Sequence, residues 1–287
     1  MTLSTIINNV ADEAGYTVES NILTSTEPTT KQLLAIANRM NREIFEAYPW
    51  PKCFASGSIT LAAGTATYAL PAAFSWYHYE TFWNQSTRWR VLGPMSAQEY
   101  AEIRGFGLNT TVYQRFQIRG ISNNQLMISP TPGANYNGDI IIFEYIADRS
   151  VRPKVWTTAT TFAADSYCFY NGNYYQTTAG GTTGATAPTH TSGSVSDGGV
   201  TWTYYDGIYD RFLAETDVSL FNEKLVEQGV LERFAEIHGL QSIRPRFDQQ
   251  LHEEFSRDQV GKTVYAGGTV RYNMFARDGV AVFGTWI

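Results

Sequence analysis

Four histidines, two cysteines and a few carboxylate pairs are the groups in this 287-residue chain with the types to do chemistry. The histidines are His78, His190, His238 and His252, and no two stand at ligand spacing. A zinc site needs three or four ligands. Only His238 and His252, on separate helical stretches, are placed to approach each other, and no cysteine joins them. Cys53 and Cys168 lie in regions of different character, without a base nearby in sequence, and read as free buried thiols. Glu215 with Asp217, and Glu253 with Glu254, are the pairs that glycoside hydrolysis would need about 5–9 Å apart. Neighbours on a helix point about 100° apart, so solvated faces explain them better. Gly180-Gly181-Thr182-Thr183-Gly184 lacks the Lys-Ser/Thr end of a phosphate loop, and no helical pattern follows it. Lys262 does follow Gly261, but Ser256 stands where the first loop glycine belongs. No G-x-S-x-G elbow occurs. The expectation is a protein without catalytic residues, cofactor or metal.

The elements that would hold such residues follow from composition and period. The chain is 43% hydrophobic and only 17% charged, with abundant glycine and aromatic residues. That favours β structure, tight turns and large contact surfaces. Its formal charge of −6 and longest basic cluster, Arg88-Trp89-Arg90, argue against a freely diffusing DNA binder. No run approaches the roughly 20 apolar residues that cross a bilayer. The first residues show no positive segment followed by an apolar run, so no signal peptide and no membrane insertion are expected.

The fold class expected is α+β. Residues 1–50 carry two helical stripes, Leu3, Ile6, Ile7, Val10 and Ala14, then Leu33, Leu34, Ile36, Ala37, Met40, Ile44 and Phe45. They predict a helical hairpin, with Asn41 off the apolar face. Tyr48-Pro49-Trp50-Pro51 ends the second helix. Residues 51–150 shift to strand period. Runs 58–61 and 67–70 flank Ala63-Gly64-Thr65 as a predicted hairpin, and 77–83, 89–92, 112–118, 125–129 and 139–146 predict further, mostly antiparallel strands. Ser96 with Glu99 predicts the start of a short helix. Residues 151–206 are aromatic and glycine-rich with few charges, and read as an inserted small β domain. Its Trp156, Tyr174, Tyr175, Trp202 and Tyr204 are either rings for surface contact, carbohydrate stacking among them, or the module's own core. Residues 207–262 hold two more helices, about 222–238 and 244–260, that complete the helical core. Residues 263–287 form an apolar, aromatic tail. Tyr272, Met274, Phe275, Val282, Phe283 and Trp286 are its expected contacts with a partner subunit, with strand addition as one mode.

Three stretches then share a pattern: Glu215-Thr216-Asp217, Glu223-Lys224-Leu225-Val226, and the run from Gly229-Val230-Leu231-Glu232-Arg233 through Phe234-Ala235-Glu236-Ile237-His238-Gly239. In this order, with the helix from Leu33 to Tyr48 ending in Pro49-Trp50, they resemble the head-to-tail adaptors of short-tailed phages. The departures are Glu215 for the usual aspartate, Glu232 where tryptophan is common, and the insertion. The insertion, with Asp197-Gly198-Gly199-Val200-Thr201-Trp202, looks like a small module of phage tail and fibre proteins. The resemblance implies a twelve-subunit ring below the portal, made in the host cytoplasm and residing in the neck of the virion. Its partners would be further copies of itself, the portal protein, tail nozzle and fibre proteins, and double-stranded DNA sliding through during packaging and ejection. Glu223, Glu227, Glu236, Glu253, Glu254 and Asp258 would then face the channel and repel phosphate. A nozzle or fibre protein contacting host carbohydrate, and a polysaccharide depolymerase, are the rival readings.

Overall fold

The computed structural model describes residues 1–78, 80–106, 113–120, 124–239 and 244–259. In chain order it runs α1 (Leu3–Ala14), α2 (Pro28–Ala47), β1 (Phe54–Thr60), β2 (Thr67–Ala69), β3 (Phe74–Tyr77), β4 (Trp83–Asn84), β5 (Trp89–Arg90), α3 (Ala97–Gly105), β6 (Arg115–Arg119), β7 (Gln125–Ser129), β8 (Ile140–Ala147) and β9 (Val151–Arg152). There follow β10 (Thr161–Phe162), β11 (Tyr167–Tyr170), β12 (Asn173–Gln176), β13 (Gly181–Thr182), β14 (Ser194–Asp197), β15 (Val200–Tyr205), β16 (Val218–Ser219), α4 (Glu223–Ile237) and α5 (Arg244–Gln259). The class is α+β.

Each helix carries local start and stop signals. The Thr2 hydroxyl accepts from Thr5 N–H at the start of α1, and Gly15, at φ +76°, ends it. Glu27 accepts from the N–H groups of Thr29 and Thr30 ahead of Pro28. Those bonds pull the Glu27 carboxyl down to about 2. Ser96 and Glu99 form the expected capping box on α3.

The aliphatic stripes of α1 and α2 touch each other, and both pack on α4, which also meets α5. Leu3, Ile6, Ile7, Leu33, Ala37, Met40, Ile44, Val226, Val230 and Phe247 are fully shielded in this core. Burying each such large side chain contributes about 1.5–3 kcal/mol before the cost of ordering it. Gly229 is where three helices close in: a Cβ there would stand 2.6 Å from Met40 Cγ and 2.8 Å from Phe247 Cε2.

The second core lies between two sheets. One has the order β1-β8-β4-β5 with β3 also on β8, and the other β2-β7-β6. Phe143, Phe82 and Phe116 stack through it at 4.8 and 4.0 Å between ring centres. The expected hairpin over 58–61 and 67–70 does not form. β1 pairs with β8 and β2 with β7, so the two runs enter different sheets. The Ala63-Gly64-Thr65 turn carries the chain across, with Gly64 N–H bonded to Pro132 O at 2.8 Å. The single strand expected over 77–83 is instead divided between the end of β3 at Tyr77 and the start of β4 at Trp83.

The third core is small: Phe162, Cys168, Tyr175, Val200 and Trp202. It sits on a four-stranded sheet ordered β11-β12-β15-β14. Just before this module β9 pairs with β16, so the chain on either side of it is held together by the body.

Candidate functional site

The side chains with reactive chemistry stay scattered. His78 packs edge-on to Phe54 at 5.0 Å, His190 lies 5.0 Å from the Tyr175 ring, and His238 lies 4.3 Å from the Phe234 ring and near Tyr16. Among the described residues no three metal-capable side chains come together. Both cysteines are buried and free, and burial pushes each thiol up to about 12, far from the thiolate a nucleophile needs. The glycine-rich turn is a packing device. A Cβ on Gly181 would meet Gly199 O at 2.3 Å, and Gly184 N–H donates to Asp197 Oδ1 at 2.9 Å.

Glu215 and Asp217 have different partners, and together they form the most tightly built polar site of the body. Glu215 Oε1 accepts from Ile22 N–H at 2.8 Å, while its carbonyl accepts from Ser4 N–H at 3.2 Å. The Asp217 carbonyl accepts from Leu3 N–H at 2.9 Å. The first amides of a helix have no partner inside it, and here two of them are met by carbonyls more than two hundred residues away. Asp217 itself is fully buried. Its Oδ2 accepts from Tyr209 Oη at 2.9 Å, Leu213 N–H at 2.8 Å and Ala214 N–H at 2.9 Å. Its Oδ1 has no hydrogen-bond partner among the described residues. Burial raises the Asp217 carboxyl against the pull of those donors, and it pushes the Tyr209 hydroxyl up as well. The acidic-Thr-Asp pattern is therefore a clamp that seats α1 on the chain ahead of α4.

Sequence reasoning missed the companion of that clamp. Asn41, expected off the apolar face, is fully buried. It donates to Ser150 Oγ at 2.7 Å and accepts from Ser219 Oγ at 2.6 Å, tying α2 to β16 and the approach to β9. The signal was present: Asn41 stands four residues after Ala37 and three before Ile44, on the apolar stripe itself. Arg42 extends the tie to Asp148 at 2.6 Å and Asp210 at 3.4 Å. Glu232, at the position noted for tryptophan, is buried as a large apolar residue would be.

The six carboxylates of the last two helices do not form one uncompensated face. Glu223 pairs with the Met1 ammonium, Glu227 accepts from Asn9 Nδ2 at 2.5 Å, and Glu236 pairs with Arg233 at 2.5 Å. Glu253 accepts from Gln249 at 2.9 Å. Glu254 accepts from Asn222 at 3.2 Å, and Asp258 meets Lys52 at 3.4 Å, both half-buried against the body. Glu223, Glu236 and Glu253 are the exposed ones.

The five rings of the insertion divide by face. Tyr175 and Trp202 are fully buried in the module's own core, which removes them as surface contacts. Tyr174 is also buried, on the opposite face of β12. It packs into the helical core, donates to Val151 O at 3.0 Å, and lies under the Arg149 guanidinium at 4.7 Å. Trp156, bonded to Asp197 Oδ2 at 2.8 Å, and Tyr204 are half-buried. The physical reason is supply: a module this small has no aliphatic stripe, so its largest rings must make its core. The tail residues Tyr272, Met274, Phe275, Val282, Phe283 and Trp286 lie outside the described residues.

Among the described residues the reactive groups stay apart, while buried polar ties join segments distant in the chain and a small aromatic module holds its own core. No helix among the described residues is long and apolar enough to cross a membrane. The sequence model described as SU10 adaptor protein matches residues 1–172. The chain belongs to that family of phage adaptors, and is thus a structural component of the bacteriophage virion. The match takes in the elements from α1 through β11. The Glu215-Thr216-Asp217 clamp and the helices after it lie beyond it. No curated protein matches the chain.

Proposed function

We propose that this chain is the head-to-tail adaptor of a short-tailed phage, assembling as a ring of twelve copies beneath the portal. Membership in the SU10 adaptor family carries the reading. In it the helical body forms the ring, extends the DNA channel used in packaging and ejection, and presents a platform for tail nozzle and fibre proteins. The DNA contact is non-specific. Exposed Glu223, Glu236 and Glu253 are the carboxylates left to keep phosphates from sticking to the wall, since Glu227, Glu254 and Asp258 are half-buried against Asn9, Asn222 and Lys52 and add little. The apolar tail, with Tyr272, Met274, Phe275, Val282, Phe283 and Trp286, meets the portal or the next subunit. Repetition of one modest contact around a closed ring makes the whole stable.

The test is cryo-EM of the purified chain with and without portal protein. A closed ring under the portal, with the α4 and α5 carboxylates toward its axis, is the expected result. Carboxylates on the outside of a ring would remove the channel assignment, and absence of any ring would remove the adaptor reading. Trp156 and Tyr204 keep part of their surface, and they are the residues left to a carbohydrate-contact role of the module. Binding of host-surface glycans lost on substitution of both rings tests that role.

A further inference from the structure

The β1 strand is an open edge. It pairs with β8 on one side, and among the described residues no strand pairs with its other side. Leu61 N–H donates to Asp139 O at 2.8 Å, which fixes the parity of this antiparallel ladder. Ala55, Gly57 and Ile59 spend their backbone groups on β8. Ser56, Ser58 and Thr60 turn theirs to the free side. Exposed edges are normally blunted by lysine, proline, inward charge or a bulge. Phe54-Ala55-Ser56-Gly57-Ser58-Ile59-Thr60 holds no charge or proline, and its register with β8 is unbroken. Beside it the outer face of the sheet carries an apolar patch, with Ile140, Ile142, Trp83 and Trp76 each about two-fifths exposed, next to Glu144, which accepts from Ser56.

The other half of the contact is in the sequence after α5. Phe255 stacks on Tyr48 at 4.2 Å, and Asp258 reaches Lys52, two residues ahead of β1. The 28 residues beyond Gln259 have a reach of about 90 Å when extended. Within them residues 269–275, Thr-Val-Arg-Tyr-Asn-Met-Phe, alternate polar and apolar over the same length as β1. We propose that this segment of one copy adds as an antiparallel strand to the β1 edge of the neighbouring copy. The proposal rests on the ring reading and names the acceptor for its tail. The pairings of β8 with β1, β3 and β4 are all antiparallel. A chain's own tail, leaving beside Phe54, would have to run the length of β1 and turn back to match that sense. A neighbour's tail is under no such constraint from this chain's α5. It also brings a subunit surface to cover Ile140, Ile142 and Trp83, which a lone strand from the same chain leaves bare.

Central register places Arg271 opposite Ser58. Full-length Ser58→Cys and Arg271→Cys variants are therefore mixed and oxidised, with the particle mass measured in parallel. Disulfide-linked dimers from the mixture, and a ladder of linked copies from the double variant, are expected. Linked monomers alone from the double variant overturn the proposal in favour of the chain's own tail. Rings of normal mass without any link overturn it too, while leaving the ring reading intact. Particles that never exceed monomer mass sink the ring reading instead, and this inference with it. Ser58→Pro supplies the second arm. It removes an N–H that faces away from β8, so the chain should fold while subunit association weakens roughly fivefold or more. Unchanged association of a folded Ser58→Pro protein contradicts strand addition.

Discussion

The helical body is built from aliphatic stripes at helical spacing. Among its buried polar groups Asn41 reaches Ser150 and Ser219, more than a hundred residues away, while the Asp217 carboxylate holds Tyr209, Leu213 and Ala214 nearby and its carbonyl holds Leu3. The aromatic module has no such stripe. Four residues around Trp202 complete its core, and threonine hydroxyls and Asp197 knit its loops over spans of 13 to 26 residues, all inside the module. The two meet at β12, where Tyr174 enters one core and Tyr175 the other. The body's polar ties thus join its two ends, whereas the module's stay inside it, so the module, which depends on one ring, should fail alone.

Asp217→Ala sets that difference most sharply. It leaves two backbone N–H groups and the Tyr209 hydroxyl without their acceptor, at about 1–3 kcal/mol each. A loss of about 3 kcal/mol or more is expected, or a fall in Tm of roughly 6–12 °C, with the Leu213 and Ala214 amides losing protection in hydrogen exchange first. Trp202→Ala should cost about 3–5 kcal/mol, but within the module. Its amides should lose protection while the helical circular dichroism persists. Loss of the helices in that variant would show that the module and the body are one cooperative unit. Gly229→Leu overpacks the meeting of α2, α4 and α5 and should destabilise the body by about 1–3 kcal/mol in urea melts. Trp156→Phe drops one hydrogen bond to Asp197 and should cost about 1–2 kcal/mol, seen only in the module.

Acid separates two carboxylates of the body. Glu27 has its folded value lowered to about 2, so its cap stabilises α2 above about 4.5 and is lost as pH falls toward 2. Asp217 is raised, so the folded state holds its proton more tightly than the unfolded chain does. Its contribution is present below the ordinary aspartate range and is lost as pH rises through the folded value. Stability of the native chain relative to Asp217→Asn should accordingly decline from about pH 4 upward in parallel denaturant melts. A rising difference would place the proton elsewhere.

Much of this was legible in the sequence where the information is local. The helix stripes, the Ser96–Glu99 box and the stop at Gly15 are set by neighbours three or four residues away. Strand partners are not: β1 and β8 are some eighty residues apart, and nothing within 54–70 tells Ser58-Ile59-Thr60 to avoid the nearer run at Thr67. The site divides the same way. The pattern at 215–217 was visible as a motif, but its purpose needed the amides of Leu3 and Ser4 beside it. Which of Tyr174 and Tyr175 faced which core followed from alternation only once both cores were known.

The central claim is that this body exists to build a ring on a portal. Native mass spectrometry of the purified chain, alone and with portal protein, tests it most directly. The account predicts a closed species near twelve times 32.1 kDa that binds portal as a unit. A chain that stays at 32.1 kDa at high concentration, with portal present, would contradict it.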